Sequence, residues 1–221
     1  MKTDISPIDS ASEDPCAKPR WERRKGARPQ ELVAAAVCIF VEKGYAATRL
    51  EDVAAAAGVS KGTVYLYFAN KQELFEAVVR ENIVPIIDEA EEKIQHHTGP
   101  AVELLQMFIG GWAEKLDSSH LSGISKLMMA EASNFPDIAA FYHQEVISRC
   151  RHLLWQMLER GVASGEFRPL NIEKTAQLLV AQMMFLMMWK HSFGVCVQQP
   201  IDPVEYVGTM LENTLSGILK R

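Results

Sequence analysis

The sequence has no apolar run long enough to span a bilayer; its densest stretch, Met183 to Trp189, stops at Lys190 and His191. The first thirty residues carry no apolar stretch behind a basic start, so they do not read as a signal peptide. Cysteine is scarce. Cys16, Cys38, Cys150 and Cys196 lie far apart with no CxxC spacing, which argues against a zinc ribbon or a disulfide scaffold and suits a reducing cytoplasm. GxSxG, P-loop, GxGxxG and HExxH arrangements are all missing, as is any tandem repeat. His96-His97 and Cys150 with His152 are the nearest approach to a metal or catalytic cluster, and nothing in their spacing demands one. No enzyme, metal site or cofactor is therefore expected. What remains is a 221-residue chain, 48% hydrophobic and 23% charged, rich enough in apolar residues to form a core and long enough for one large or two small domains.

Positive charge is short overall but concentrated. The chain has a formal net charge of -5. Eleven Lys/Arg oppose seven Asp/Glu over residues 18–80, whereas eleven oppose seventeen over residues 81–221. Lys18, Arg20, Arg23, Arg24, Lys25 and Arg28 crowd one segment against Glu22. A local basic end on an acidic chain suits a polyanion, because screening makes near charges count more than the total. A solubilising tail explains the same run. Residues 1–27 read as a flexible basic arm that could follow phosphates or enter a minor groove.

From Arg28 the apolar period is helical throughout, with no convincing alternating strand, and predicts an all-α chain of about nine helices. Leu32, Ala36, Ile39 and Phe40 share a face of the first, which Gly44 ends. Thr48-Arg49-Leu50-Glu51 reads as a capping box opening a second, with Leu50, Val53, Ala54 and Ala57 inward. Gly58 permits a turn, and Ser60 caps a third helix from Lys61 to about Phe68. Asn70-Lys71-Gln72-Glu73 starts a longer one that Pro85 bends or interrupts. Further helices are expected over about 101–116, 122–133, 135–163, 172–193 and from Asp202 onward.

The two short helices joined by Gly58-Val59-Ser60 form a helix-turn-helix. Ala54 to Ala57 allow close approach, Val53, Val59 and Val64 fill a small shared core, and the second helix presents Lys61, Gly62, Thr63, Tyr65 and Tyr67. Gly62 is a poor helix residue whose virtue is to remove bulk where a backbone must approach. For the spacing alone, an ordinary helical hairpin remains open as the alternative. The run Gly44-Tyr45, Thr48, Val53-Ala54, Ala57 through Phe68, Asn70-Lys71 and Leu74 resembles the DNA-binding domain of the tetracycline-repressor (TetR) family. That resemblance, covering about residues 28–75, implies a homodimeric transcription regulator, usually a repressor, released from a palindromic operator by a small ligand. It implies that Lys61 and Thr63 touch base edges beside Gly62 and Tyr65, and that Thr48, Tyr65, Tyr67 and Lys71 contact phosphates. Arg49 and Ser60, at the starts of the second and third helices, complete the expected DNA-facing set.

Residues 76–221 are then expected to form a helical ligand-binding and dimerisation domain. The penultimate helix is apolar on two stripes, Ala176, Leu179, Val180, Met183 and Met187 on one, and Leu178, Phe185, Leu186 and Trp189 on another. A helix apolar all round needs burial on more than one side, and with the last helix it predicts a four-helix dimer interface. Methionines and aromatics offer an adaptable apolar pocket for a small apolar or amphipathic effector, with Met107, Trp112, Met128, Phe141, Trp155, Gln182, Phe185 and Trp189 as candidate lining. The competing reading is a helical ligand-binding protein or enzyme whose helix-turn-helix no longer reads DNA.

Overall fold

The computed structural model describes residues 29–118 and 121–220, so the expected basic arm over residues 1–27 lies outside the described residues. The fold is all-α. Eleven α-helical segments occur among the described residues: α1 Pro29–Ala47, α2 Leu50–Ala56, α3 Lys61–Tyr67, α4 Lys71–Asn82, α5 Val84–His96, α6 Ala101–Ser118, α7 Leu121–Glu131, α8 Pro136–Tyr142, α9 Ser148–Ser164, α10 Ile172–Ser192 and α11 Pro203–Ile218. Two pairs merge. Ile83 alone separates α4 from α5, with Pro85 in the first turn of the latter, and a π-helical turn over His143–Ile147 makes α8 and α9 one continuous rod. Nine rods result, as the turn signals predict. The only extended pairing among the described residues is an isolated bridge between Phe167 and Leu219.

Local signals explain most boundaries. Gly44 has φ 82°, a left-handed conformation costly for other residues, and it kinks the end of α1 where the helical period stops. Asn171 caps α10 by accepting from Lys174 N at 3.0 Å, and Asp202 caps α11 by accepting from Val204 N at 2.8 Å and Glu205 N at 3.0 Å. One cap is shifted by a residue. Arg49, not Thr48, is the N-cap of α2, and its N–H donates to the Asp52 carboxylate at 3.1 Å. Thr48 cannot take that place because it is buried, with its hydroxyl donating to Gly44 O at 2.7 Å.

The core is continuous from the first helix to the last. Phe40, Tyr45 and Phe75 pack face-on and edge-on, with centroids 5.3 to 5.7 Å apart, and Phe135 closes onto Tyr45 at 4.7 Å. This cluster ties α1 and α4 to the start of α8. Beside it α7 presses against α1 so closely that a Cβ on Gly123 would fall 2.8 Å from Val41. The N-terminal helices are thereby seated on the helical body. Among the described cysteines, Cys150 and Cys196 are free; burial organises the described residues.

Candidate nucleic-acid interface and effector region

The local build of α2 and α3 decides what α3 presents. Val53 and Val64 are fully buried between the two helices, Val59 packs against them, and Gly58 turns the chain with φ 68°. Ser60 Oγ accepts from Thr63 N at 3.2 Å and lies 2.8 Å from Thr63 Oγ1, so cap and side chain fasten the start of α3. With Val64 and Phe68 inward, Lys61, Gly62, Tyr65, Leu66 and Tyr67 are exposed, Leu66 by 77%. A Cβ at Gly62 would meet nothing nearer than Ser60 Oγ at 3.8 Å, and Gly62 has no positive φ. Nothing among the described residues requires glycine there.

Besides Thr63, three expected phosphate or base contacts have partners of their own. Thr48, 1% exposed and bonded to the Gly44 carbonyl, is a structural clamp, and its assignment to a phosphate is corrected: the hydroxyl does not reach the surface. Lys71 Nζ donates to Tyr45 O at 2.6 Å and Ala46 O at 3.1 Å and lies 4.4 Å from the Tyr45 ring centroid. It closes the frayed end of α1, and partial burial holds its ammonium pKa below the ordinary lysine value. One of its three N–H groups remains for a phosphate. Lys61 pairs with the Glu51 carboxylate and lies 5.4 Å from the Tyr65 centroid. That hydrogen bond pushes Lys61 up and Glu51 down from their usual values. Arg49 is exposed at the start of α2, beside this pair. Periodicity missed Leu66, because an apolar residue in a seven-residue helix reads as core until its neighbours' burial is known.

The candidate pocket residues do not converge. Met128 is core, whereas Met107, Trp155 and Phe185 face outward, and Trp112 is only half-buried. Phe141 lies under the Arg80 guanidinium at 4.7 Å, Trp155 stacks on His152 at 6.0 Å, and Gln182 donates to Leu178 O in its own helix. Phe185 joins Trp189 and Tyr206 in a surface cluster, with centroids 5.8 and 6.1 Å away. Two open grooves, of about 520 Å³ between α6 and α11 and about 510 Å³ between α5, α6 and α9, are lined by none of the eight. The expected lining residues are therefore not gathered around either of these two grooves, since apolar stripes do not reveal which of them faces solvent.

Polar pairs buried in the helical body went unnoticed in the sequence. Ser122 Oγ lies 2.6 Å from His191 Nε2, linking α7 to α10, and Ser125 Oγ lies 2.7 Å from the Tyr142 hydroxyl, linking α7 to α8. Burial pushes Tyr142 up to about 12. Trp189 Nε1 is buried with no hydrogen-bond partner among the described residues, an uncommon condition for an indole N–H. No catalytic thiol emerges from Cys150 and His152: burial raises the Cys150 pKa to about 11, away from thiolate chemistry, and His152 is stacked elsewhere. Among the described residues no group of His, Cys, Asp and Glu could hold a metal ion, and no helix is long and apolar enough to cross a membrane.

A capped short helix with an exposed Lys-Gly-Thr-x-Tyr face, braced by a second short helix and mounted on a helical body, defines a helix-turn-helix DNA-binding regulator. Comparison with known proteins narrows the class. Residues 32–78 match the profile of bacterial regulatory proteins of the tetR family, and residues 103–207 match the C-terminal domain of AefR-like transcriptional repressors. The chain is 27% identical over 198 residues to the fatty acid metabolism regulator protein of Bacillus subtilis, covering 89% of this chain and 98% of that one. It is 26% identical over 152 residues to the transcriptional repressor KstR2 of Mycolicibacterium smegmatis, covering 68% of this chain and 73% of the relative. The crystal structure of FadR from Bacillus subtilis with stearoyl-CoA superposes with a TM-score of 0.74 at 26% identity, covering 86% of this chain and all of that one. The chain belongs to the TetR family of transcriptional regulators.

Proposed function

We propose that the chain is a homodimeric repressor that reads a palindromic operator through the outer face of α3 and is released by an amphipathic effector, working in the cytoplasm where that DNA lies. Gly62 carries the reading. It sits exposed in the first turn of a helix, where glycine costs about 1 kcal/mol relative to alanine, and neither its backbone conformation nor packing among the described residues requires it. Close approach of another molecule's surface accounts for it. Lys61 and Thr63 flank it with donors suited to base edges, Tyr65, Tyr67, Arg49 and Lys71 border it with donors suited to phosphates, and Ser60 holds its cap.

The exposed apolar side chains of α10 and α11 support the pairing of two chains there. Leu178 is 65%, Phe185 46% and Val204 59% exposed, and Phe185, Trp189, Phe193 and Tyr206 form a run of rings on that side. A second copy covering this run would place two α3 helices about one DNA turn apart. On this reading residues 28–75 are the reader and residues 76–221 the sensing and pairing domain. The Bacillus subtilis relative bound to stearoyl-CoA supports an effector with a long apolar tail, and the polar pairs inside the helical body supply hydrogen-bonding groups for a polar head. Recovery of bound genomic fragments, repeated with added stearoyl-CoA, tests the whole. Enrichment of a few inverted-repeat fragments that the acyl-CoA abolishes is expected; fragments recovered no better than random competitor would overturn it.

A further inference from the structure

An ion pair joins the two helices of the helix-turn-helix. Lys61 is the first residue of α3 and Glu51 the second of α2; their side chains are 62% and 42% exposed, so both stand in solvent on the side of α3 assigned above to DNA reading. A second pair, Lys43 with Asp52 at 3.0 Å, flanks the same end of α2. A regulator that needed only affinity would leave its leading lysine unopposed, because any lysine meeting a phosphate releases counterions whatever the sequence. Here the lysine is met by a carboxylate that the α2 backbone places beside it.

Resting on the DNA-reading assignment above, we propose that Glu51 is a specificity-determining residue that suppresses binding to non-cognate duplex through Lys61. A phosphate approaching Lys61 must displace the carboxylate or share the site with it, and the two anions repel at close range. A guanine edge offers neutral acceptors, O6 and N7, so an ammonium with three N–H groups can donate to the base while still holding Glu51. The carboxylate therefore costs more on phosphate than on the correct base. Glu51 itself contributes no base contact in this scheme; it acts through the lysine it holds.

Glu51→Gln keeps the shape and removes the charge. The probes are the tightest genomic fragment recovered by the wild-type protein and a random duplex of equal length, each titrated over a range of salt. Affinity for the random duplex is expected to rise about three- to tenfold and that for the recovered fragment by less, with the random-duplex salt slope steeper by about one per α3 helix engaged. In a Lys61→Gln background the same substitution should leave the ratio of the two affinities unchanged, a coupling that mere stabilisation of α2 would not produce. Equal gains on both duplexes, no change on either, or a loss confined to the recovered fragment would each overturn the proposal. If the wild-type protein prefers no fragment at all, the DNA-reading assignment has failed before Glu51 is tested.

Discussion

The outer face of α3 and the outer face of α10 and α11 both leave large apolar side chains in solvent, yet they differ in chemistry. On α3 the rings are tyrosines, interleaved with lysine, glycine and threonine, so each apolar body ends in a hydroxyl or stands beside a donor. On α10 and α11 the large exposed apolar groups are Leu178, Phe185 and Val204, joined by Phe193 just past the end of α10, and none has a polar tip. The first suits a wet, anionic partner whose phosphates and base edges accept hydrogen bonds. The second suits burial against another apolar surface. On the proposed reading, exposed apolar residues mark a partner in both places, and the polar atoms among them say which kind.

Substitutions can separate the two faces. Leu178→Glu combined with Phe185→Glu should give a folded monomer by sedimentation and lower operator affinity on the order of 10²–10⁴-fold, since linked half-sites lose their shared gain. A dimer that persisted would move the pairing surface elsewhere. Lys61→Ala should leave the dimer intact and weaken operator binding by about tenfold or more, as loss of one good base contact per half-site implies. Gly62→Ala sharpens the contrast because its effects have opposite signs: thermal stability should rise, by up to about 1 kcal/mol, while operator retention falls. If both rose together, the glycine would serve no partner. The smallest effect belongs to neither face. Glu166 accepts from Ala101 N at 3.0 Å, Val102 N at 3.2 Å and Ser164 Oγ at 2.8 Å, and the bond from Ala101 leads in holding its carboxyl below 4.5. A folded-state pKa below the unfolded one stabilises the fold above the ordinary carboxylate range, and that support fades as pH falls through the folded value. The melting temperature of Glu166→Gln should accordingly vary less than wild type below about pH 5.

The two faces were unequally legible in the sequence. The helix-turn-helix could be read because its determinants are local: Gly58 turns, Ser60 caps, and Val53 and Val64 face each other across a few residues. Thr48 and Lys71 show the limit even there, since their partners Gly44 O and Tyr45 O depend on how α1 ends and where α4 packs. In the helical body, period and composition marked the rods but not their facing. Leu186, grouped with Leu178 and Phe185 by period, is buried at 1% while those two are exposed. Ser122–His191 and Ser125–Tyr142 join residues 69 and 17 positions apart, a relation that no spacing rule announces. The Glu51–Lys61 pair was equally hidden, because it needs the angle between α2 and α3.

Hydroxyl-radical footprinting of the tightest recovered genomic fragment tests the central claim most directly. Two protected patches related by a dyad and centred about 10 base pairs apart, both weakened by Lys61→Ala, are predicted. A single patch without symmetry, or protection indifferent to Lys61, would contradict paired α3 helices as the reader.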